Sequence, residues 1–147
     1  MQNEPPVVLG HVGLTVSDLG ASIAFYCDVV GFALEGRYEV AGEWFDTLTH
    51  NQGADIEVAM LRLGTFVLQL VAYRDGGGTG LDLAHHRAGS PHLSFTVADL
   101  DARHAALVAA GAQNPTPVVD VMGSAAIRSF YVDDPDGVPV EFLEMPT

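Results

Sequence analysis

Four polar residues occupy equivalent places in an internal repeat of the chain. Residues 11–21 and 92–102 are identical at six of eleven positions, whereas chance identity is roughly one in twenty per position. The repeat indicates two copies of one supersecondary unit, which begin at His11 and His92. Near the end of each copy, an apolar run carries one polar residue, Gln69 in the first copy and Glu141 in the second.

All four residues lie in apolar, strand-like sequence, where an unpartnered polar group costs about 1–3 kcal/mol. Two imidazoles, one carboxylate and one amide oxygen form a set of donors that suits a divalent metal ion such as Zn, Ni, Co, Mn or Fe. The single cysteine excludes a copper thiolate site and an iron–sulfur cluster. His11, Gln69, His92 and Glu141 are therefore candidate ligands of a metal centre.

Each copy is predicted to fold as a strand, a helix and three further strands. Asp18 and Asp99 stand where the N-cap of a helix belongs, and Gly31 and Gly111 stand where the helix should end. Apolar alternation and helical spacing set the remaining elements. The predicted strands are 9–16, 32–40, 55–62 and 65–73, then 91–97, 116–121, 126–133 and 138–145, and the predicted helices are 22–30 and 102–110.

The 147 residues are predicted to form one α+β domain of two tandem βαβββ modules, residues 8–73 and 91–146. The segment 74–90 contains three successive glycines and is predicted to be a linker, with a short helix around 81–86. Because open sheets leave edge strands that need covering, a homodimer is expected.

The composition excludes several classes of function. The chain has 19 acidic and 6 basic residues, a net charge of −13 and no lysine. Nucleic-acid binding and chemistry that depends on lysine are therefore excluded. No apolar stretch approaches the ~18 residues of a membrane span. The lone Cys27 and a polar N-terminus without signal-peptide features predict a cytoplasmic protein.

Several motifs together resemble a known family. They are His11, the helix entry Asp18-Leu19-x-x-Ser22-x-x-Phe25-Tyr26 with Gly31-Phe32, and the ending Asp134-Pro135-Asp136-Gly137-x-x-x-Glu141. In these motifs the chain resembles the vicinal oxygen chelate superfamily, which includes glyoxalase I, methylmalonyl-CoA epimerase, extradiol dioxygenases and bleomycin or fosfomycin resistance proteins. The resemblance implies two modules whose curved, mixed sheets form a cup around a metal, with the ligands at His11, Gln69, His92 and Glu141. This ligand set is most similar to that of methylmalonyl-CoA epimerase.

The resemblance implies a metal-dependent isomerase, epimerase or lyase. Such an enzyme binds two adjacent oxygens of a small-molecule substrate and moves a proton next to a carbonyl through a metal-bound enediolate. An Fe(II) ring-cleaving dioxygenase is the first alternative, because His11, His92 and Glu141 make a 2-His-1-carboxylate triad. It would need Gln69 to stay off the metal and an acid–base histidine or tyrosine in the cup. A drug-binding resistance protein is the second alternative.

Proton transfer needs a base, and Glu57 is the first candidate. Strand alternation is taken to place Glu57 on the same face of the sheet as Gln69, and therefore beside the metal. Glu141 is the second candidate base, if it loosens from the metal. The alternative for Glu57 is a surface carboxylate or a partner of Arg128, which could instead orient a substrate carboxylate or phosphate. The remaining histidines are predicted to lie on the surface: His50, His85, His86 and His104. Trp44 and Phe45 are predicted to form either a lid over the substrate or a hydrophobic plug between the modules.

Overall fold

The computed structural model describes residues 6–75 and 80–146, so the glycine run 76–78 lies outside the described residues. The chain forms two compact units, Met1–Gly77 and Gly78–Thr147. The elements of the first unit are β1 (Val12–Thr15), α1 (Leu19–Ala24), a π-helix (Phe25–Val30), β2 (Ala33–Ala41), α2 (Glu43–Thr49), β3 (Asp55–Leu63) and β4 (Phe66–Tyr73). Those of the second unit are β5 (Leu93–Thr96), α3 (Leu100–Ala109), β6 (Val119–Asp120), a 3-10 helix (Val121–Gly123), β7 (Arg128–Asp133) and β8 (Pro139–Glu144).

Each unit contains one mixed four-stranded sheet. The strand order is β1-β4-β3-β2 in the first unit and β5-β8-β7-β6 in the second. The first strand of each unit runs parallel to the last, and the other neighbours are antiparallel. The prediction of an α+β fold with two βαβββ modules is confirmed. In the part of the chain that the structure describes, no helix is long and apolar enough to span a membrane.

Both helices that follow the first strand of a unit are capped as predicted. The carboxylates of Asp18 and Asp99 each accept a hydrogen bond of 2.9 Å from the backbone N–H three residues further on. Gly31 and Gly111 follow the helices with φ of 111° and 80°, a conformation that glycine adopts without a steric penalty. The helices begin directly after their caps, earlier than the apolar spacing predicted.

An aromatic series packs the first helix against its sheet. The ring of Tyr26, fully buried in the π-helix, lies edge-on to Phe32, and Phe32 lies edge-on to Phe66 of β4, with centroid distances of 6.0 Å in both pairs. The helix therefore covers the face of the sheet to which Phe66 belongs. We call this the helix face of the first unit and the opposite face its Gln69 face; on β4 the helix face carries Phe66, Leu68 and Leu70.

The second unit has an aromatic core on its own helix face. Phe130 and Phe142 are each 1% exposed and stack with a centroid distance of 5.3 Å. His104 of α3 lies edge-on to Phe130 at 4.8 Å, and its Nε2 lies 2.9 Å from the carbonyl oxygen of Thr116. His104 is thus half-buried: it lies at the surface, as predicted, but its ring also packs on the core residue Phe130. The opposite side of this sheet is called the Glu141 face.

Two predicted elements differ in the structure. The strand predicted at 116–121 shrinks to β6, because Pro115 and Pro117 lack the N–H that a strand ladder needs. The helix predicted around 81–86 is replaced by turns. There the Asp82 carboxylate accepts the backbone N–H of Ala84 and forms an ion pair with Arg87, so it stabilises a turn instead.

Helix α2 forms in a polar stretch for which no element was predicted. Trp44 on this helix is 60% exposed, whereas Phe45 is half-buried and packs edge-on against it at 5.7 Å. The carboxylate of Asp46 accepts the backbone N–H of Ala54 and so ties the helix to the start of β3. The predicted role of the two aromatic residues as a lid or a plug stays a prediction.

Candidate functional site

In the first unit, Gln69 of β4 lies opposite Gly13 of β1, which comes two residues after His11. The side-chain amide of Gln69 lies between the two neighbouring strands, β1 and β3. A Cβ atom placed at Gly13 would lie 3.7 Å from the amide oxygen of Gln69, while the amide nitrogen donates to the Met60 sulfur at 3.6 Å. The nitrogen therefore faces β3, and the oxygen faces the strand that His11 precedes.

In the second unit, Glu141 of β8 lies opposite Ser94 of β5, which comes two residues after His92. This is the register of Gln69 in the first unit. The predicted equivalence of Gln69 and Glu141 is therefore confirmed by strand pairing. In both units, the oxygen donor lies on one strand of a parallel pair, and the histidine directly precedes the other strand.

The carboxylate of Glu141 is held by hydroxyl groups from β7. The Ser129 hydroxyl donates to Oε1 of Glu141 at 2.7 Å, and Ser129 is only 3% exposed. Tyr131 lies directly opposite Glu141 in the antiparallel pair. Burial raises the pKa of Tyr131, and the negative charge of Glu141 and a hydrogen bond to it add to the increase. Tyr131 is therefore a protonated donor at neutral pH.

Glu141 differs from the neighbouring acid Glu144 in its charged partners. Among the described residues, no arginine or histidine forms an ion pair with Glu141. Glu144 instead accepts the backbone N–H of Leu100 at 2.9 Å and pairs with Arg128 at 3.0 Å, and these contacts lower its pKa. Arg128 also pairs with Asp101, so the acid-pairing alternative for this arginine holds. Glu141 is thus a half-buried carboxylate with neutral donors.

Three rings gather next to Glu141. The ring of His92 lies 6.3 Å from that of Tyr131, and the ring of His85 lies edge-on to Tyr131 at 4.9 Å and 6.3 Å from His92. His85 is exposed, as predicted, but its place in this cluster was missed because the first copy has no counterpart for it. The pair of Asp82 and Arg87 on either side of His85 is the sequence signal of an ordered loop.

Glu57 does not lie where alternation was taken to place it. A two-residue turn joins β3 to β4, and the register puts Met60 opposite Gln69 and Glu57 opposite Ala72. Glu57 therefore belongs to the helix face and not to the Gln69 face, so the predicted shared face is wrong. A two-residue turn pairs odd with even positions, which the alternation argument ignored. Oε1 of Glu57 accepts a hydrogen bond of 2.8 Å from Nε of Arg37, so its partner is not Arg128.

The strand register relates the candidate ligands in pairs within each unit. His11 directly precedes the strand that pairs with the strand of Gln69, and His92 directly precedes the strand that pairs with that of Glu141. Among residues 6–75 and 80–146, no group of three or more His, Cys, Asp or Glu side chains is arranged to hold a metal ion. Each pair fits a divalent metal by donor chemistry, with one imidazole nitrogen and one oxygen. The joint metal centre stays a prediction.

Comparison with known proteins identifies several relatives. The chain is 30% identical to a 2-epi-5-epi-valiolone epimerase from an Actinomyces species, over 95% of this chain and 80% of the relative. It is 28% identical to lactoylglutathione lyase from Haemophilus influenzae, over 91% and 90% of the two chains. The structure matches a glyoxalase family protein from Bacillus cereus with a TM-score of 0.85 and 25% identity, over 100% and 99% of the chains.

A more distant structure adds a bound metal to this group. The fosfomycin resistance protein FosX from Listeria monocytogenes, in complex with Mn(II) and sulfate, matches with a TM-score of 0.59 and 17% identity over 93% and 91% of the chains. At this identity the match shows the fold alone. The named relatives thus include an epimerase and a lyase. The family model described as Glyoxalase/Bleomycin resistance protein/Dioxygenase superfamily matches residues 8–142, and the chain belongs to this superfamily.

Proposed function

We propose that this protein is a divalent-metal-dependent isomerase, epimerase or lyase. It moves a proton next to a carbonyl of a small molecule with two adjacent oxygens. The observation that carries the proposal is the state of Glu141, a half-buried carboxylate that is held by hydroxyls and has no ion-pair partner among the described residues. Since a buried charge is costly without a counter-charge, a bound cation is the natural partner.

The residues that would hold the metal are His92 and Glu141 of the second unit and His11 and Gln69 of the first. Their nitrogen and oxygen atoms suit Zn, Ni, Co, Mn or Fe. When bound, such an ion supplies Lewis acidity, which polarises a substrate carbonyl and makes the neighbouring C–H more acidic. The epimerase among the relatives favours proton transfer.

We assign the transfer of the substrate proton to side chains on the Glu141 face of the second unit. Tyr131 lies directly opposite Glu141 and, like any tyrosine, carries its hydroxyl proton at neutral pH, so it can donate a hydrogen bond to a developing oxyanion. His85 lies against its ring, and an imidazole can both donate and accept a proton. Glu57 is not part of this proposal, because it lies on the helix face and pairs with Arg37.

A ring-cleaving Fe(II) dioxygenase is the second candidate, and one observation favours it. That reaction needs an acid–base histidine or tyrosine beside the 2-His-1-carboxylate triad, and His85 and Tyr131 both lie next to His92. Oxygen uptake by the iron-loaded protein with a catechol would support this candidate. Absence of uptake, together with exchange of a substrate C–H proton for solvent deuterium, would support the isomerase or lyase.

The metal ions themselves test the proposed site. Calorimetric titration of metal-free protein with Zn, Ni, Co and Mn is expected to show tight binding of at least one ion. His92→Ala and Glu141→Gln should each lower that affinity at least about 100-fold, since loss of a ligand should exceed the 10–100-fold cost of losing an outer-shell partner.

Two matched variants serve as controls. His86→Ala removes an exposed imidazole close to His92 in sequence, and Glu57→Gln neutralises a carboxylate on the helix face. Both should bind metal like the wild type. Equal affinities in the wild type, His92→Ala and Glu141→Gln would refute the site, and so would a wild-type protein that binds none of the ions.

A further inference from the structure

We propose that Ser129 is a positioning residue, which fixes the carboxylate of Glu141 so that one oxygen is free to bind the metal. This inference rests on the proposed function. Ser129 lies on β7 and is 3% exposed, and its hydroxyl donates to Oε1 of Glu141 at 2.7 Å. A buried hydroxyl this close to a charged acceptor forms a strong hydrogen bond and restricts the rotation of the carboxylate.

The strand register shows from which side Ser129 approaches the Glu141 carboxylate. Ser129 lies opposite Leu143, two residues beyond Glu141 on β8, so its contact with Glu141 is diagonal. His92 lies on the other side, because it precedes Ser94, the residue opposite Glu141. At about 3.3 Å per residue, Ser129 and His92 are displaced from Glu141 by similar distances in opposite directions along the strand. Ser129 therefore engages Oε1 from the side of Glu141 that is away from His92.

The first unit has no such hydroxyl at the matching positions. There Met60 lies opposite Gln69, and Val58 takes the diagonal position that corresponds to Ser129. An amide carries its own N–H group, and that of Gln69 is directed at the Met60 sulfur. A carboxylate has only acceptor oxygens and needs outside donors to fix its orientation. The hydroxyl thus occurs beside the charged ligand and not beside the neutral one.

Metal titration with Zn, Ni, Co and Mn measures the effect. Ser129→Ala should lower the affinity about 10–100-fold, as loss of an outer-shell partner commonly does. Ser129→Thr keeps a hydroxyl and should restore most of the affinity, whereas Ser129→Cys keeps the volume with a weak donor and should behave like Ser129→Ala. Ser94→Ala is the matched control, because it removes an exposed hydroxyl directly opposite Glu141 and should leave the affinity unchanged.

A second readout does not depend on metal. Crystal structures of the metal-free wild type and Ser129→Ala should show the Glu141 carboxylate displaced in the variant and in place in Ser129→Thr. Wild-type affinity in Ser129→Ala, tighter binding, or an undisplaced carboxylate would overturn the inference. If the wild type binds none of the ions, the proposed function fails, and the position of Glu141 in metal-free Ser129→Ala alone decides whether Ser129 positions it.

Discussion

The two units share a backbone plan but surround their oxygen donors differently. Gln69 and Glu141 occupy the same register, each opposite the residue that lies two positions after a histidine. Gln69 has the thioether of Met60 as its neighbour on β3, whereas Glu141 has Tyr131 on β7 and the Ser129 hydroxyl diagonal to it. The comparison shows that strand pairing sets where a donor lies, while the residues of the adjacent strand set whether it can carry a charge.

The helix faces of the two units differ as well. Apart from Phe66, the helix face of the first unit is aliphatic at its fully buried positions on β3 and β4, whereas that of the second unit carries stacked aromatic rings. Phe142 stacks on Phe130, lies 6.3 Å from Phe95, and has the Arg103 guanidinium 5.6 Å above its ring. The fully buried aliphatic residues of the first unit are Ala59, Leu61, Leu68 and Leu70.

The largest effect is expected from emptying these cores. Phe142→Ala removes a ring that is 1% exposed and should destabilise the protein by about 3–5 kcal/mol, while Leu70→Ala at the equivalent position should cost about 2–5 kcal/mol. Urea unfolding gives the totals. Hydrogen exchange should rise mainly in β7 and β8 for Phe142→Ala and mainly in β3 and β4 for Leu70→Ala. A rise spread evenly over both units would contradict the assignment of a core to each unit.

An intermediate and equal effect is expected from the helix caps. Asp18→Ala and Asp99→Ala each remove an acceptor with the same 2.9 Å hydrogen bond and nearly the same backbone angles, so each should cost about 1 kcal/mol. Asp→Asn at either position keeps the cap and should cost much less. Thermal unfolding of the four variants measures the loss of stability. A much larger loss for one cap than for the other would contradict the prediction that the two caps are equivalent.

The smallest effect is expected from two acids that pair with arginine. The pKa of Glu144 is lowered by the Leu100 N–H and by Arg128, and that of Glu35 is lowered by Arg62. A carboxyl whose pKa is lower in the folded state stabilises the protein above its unfolded pKa, and this contribution is lost as pH falls through the folded pKa.

Glu144→Gln and Glu35→Gln should therefore lower Tm at pH 7, and the difference from wild type should shrink towards pH 3. The change should be larger for Glu144, because its side chain is 27% exposed against 42% for Glu35 and surface pairs are screened by solvent. A loss of Tm that is the same at pH 7 and pH 3 would show that the carboxylate charge is not responsible.

Local signals in the sequence predicted most of the fold. The repeat, the caps at Asp18 and Asp99 and the terminal glycines each depend on residues close together in the chain, and each is present in the structure. The pairing of Gln69 with Glu141 as counterparts also followed from the repeat. These features could be predicted because a short motif contains the whole of their physical cause.

The features that were missed depend on longer-range geometry. The face of Glu57 depends on the length of the turn between β3 and β4, since one residue more or less exchanges the faces. The place of His85 depends on a turn that Asp82 stabilises, and the contact with Tyr131 is visible only after the strands are paired. The half-buried state of His104 likewise needs the packing of α3 on Phe130.

The difference in turn length between the two units bears on how the chain tolerates insertions. Gln69 lies nine residues after its cross-strand neighbour Met60, whereas Glu141 lies ten residues after Tyr131. If Gln69 is aligned with Glu141 without a gap, Met60 of β3 aligns with Val132 of β7. Met60 lies on the Gln69 face of its sheet, whereas Val132 lies on the helix face of the other sheet. The extra length lies in the turn, where a hydrogen bond from the Asp134 N–H to the Val138 carbonyl closes the loop without moving the strands. Duplicated halves of this kind can thus differ in turn length while Gln69 and Glu141 keep the same register with the first strand of their unit.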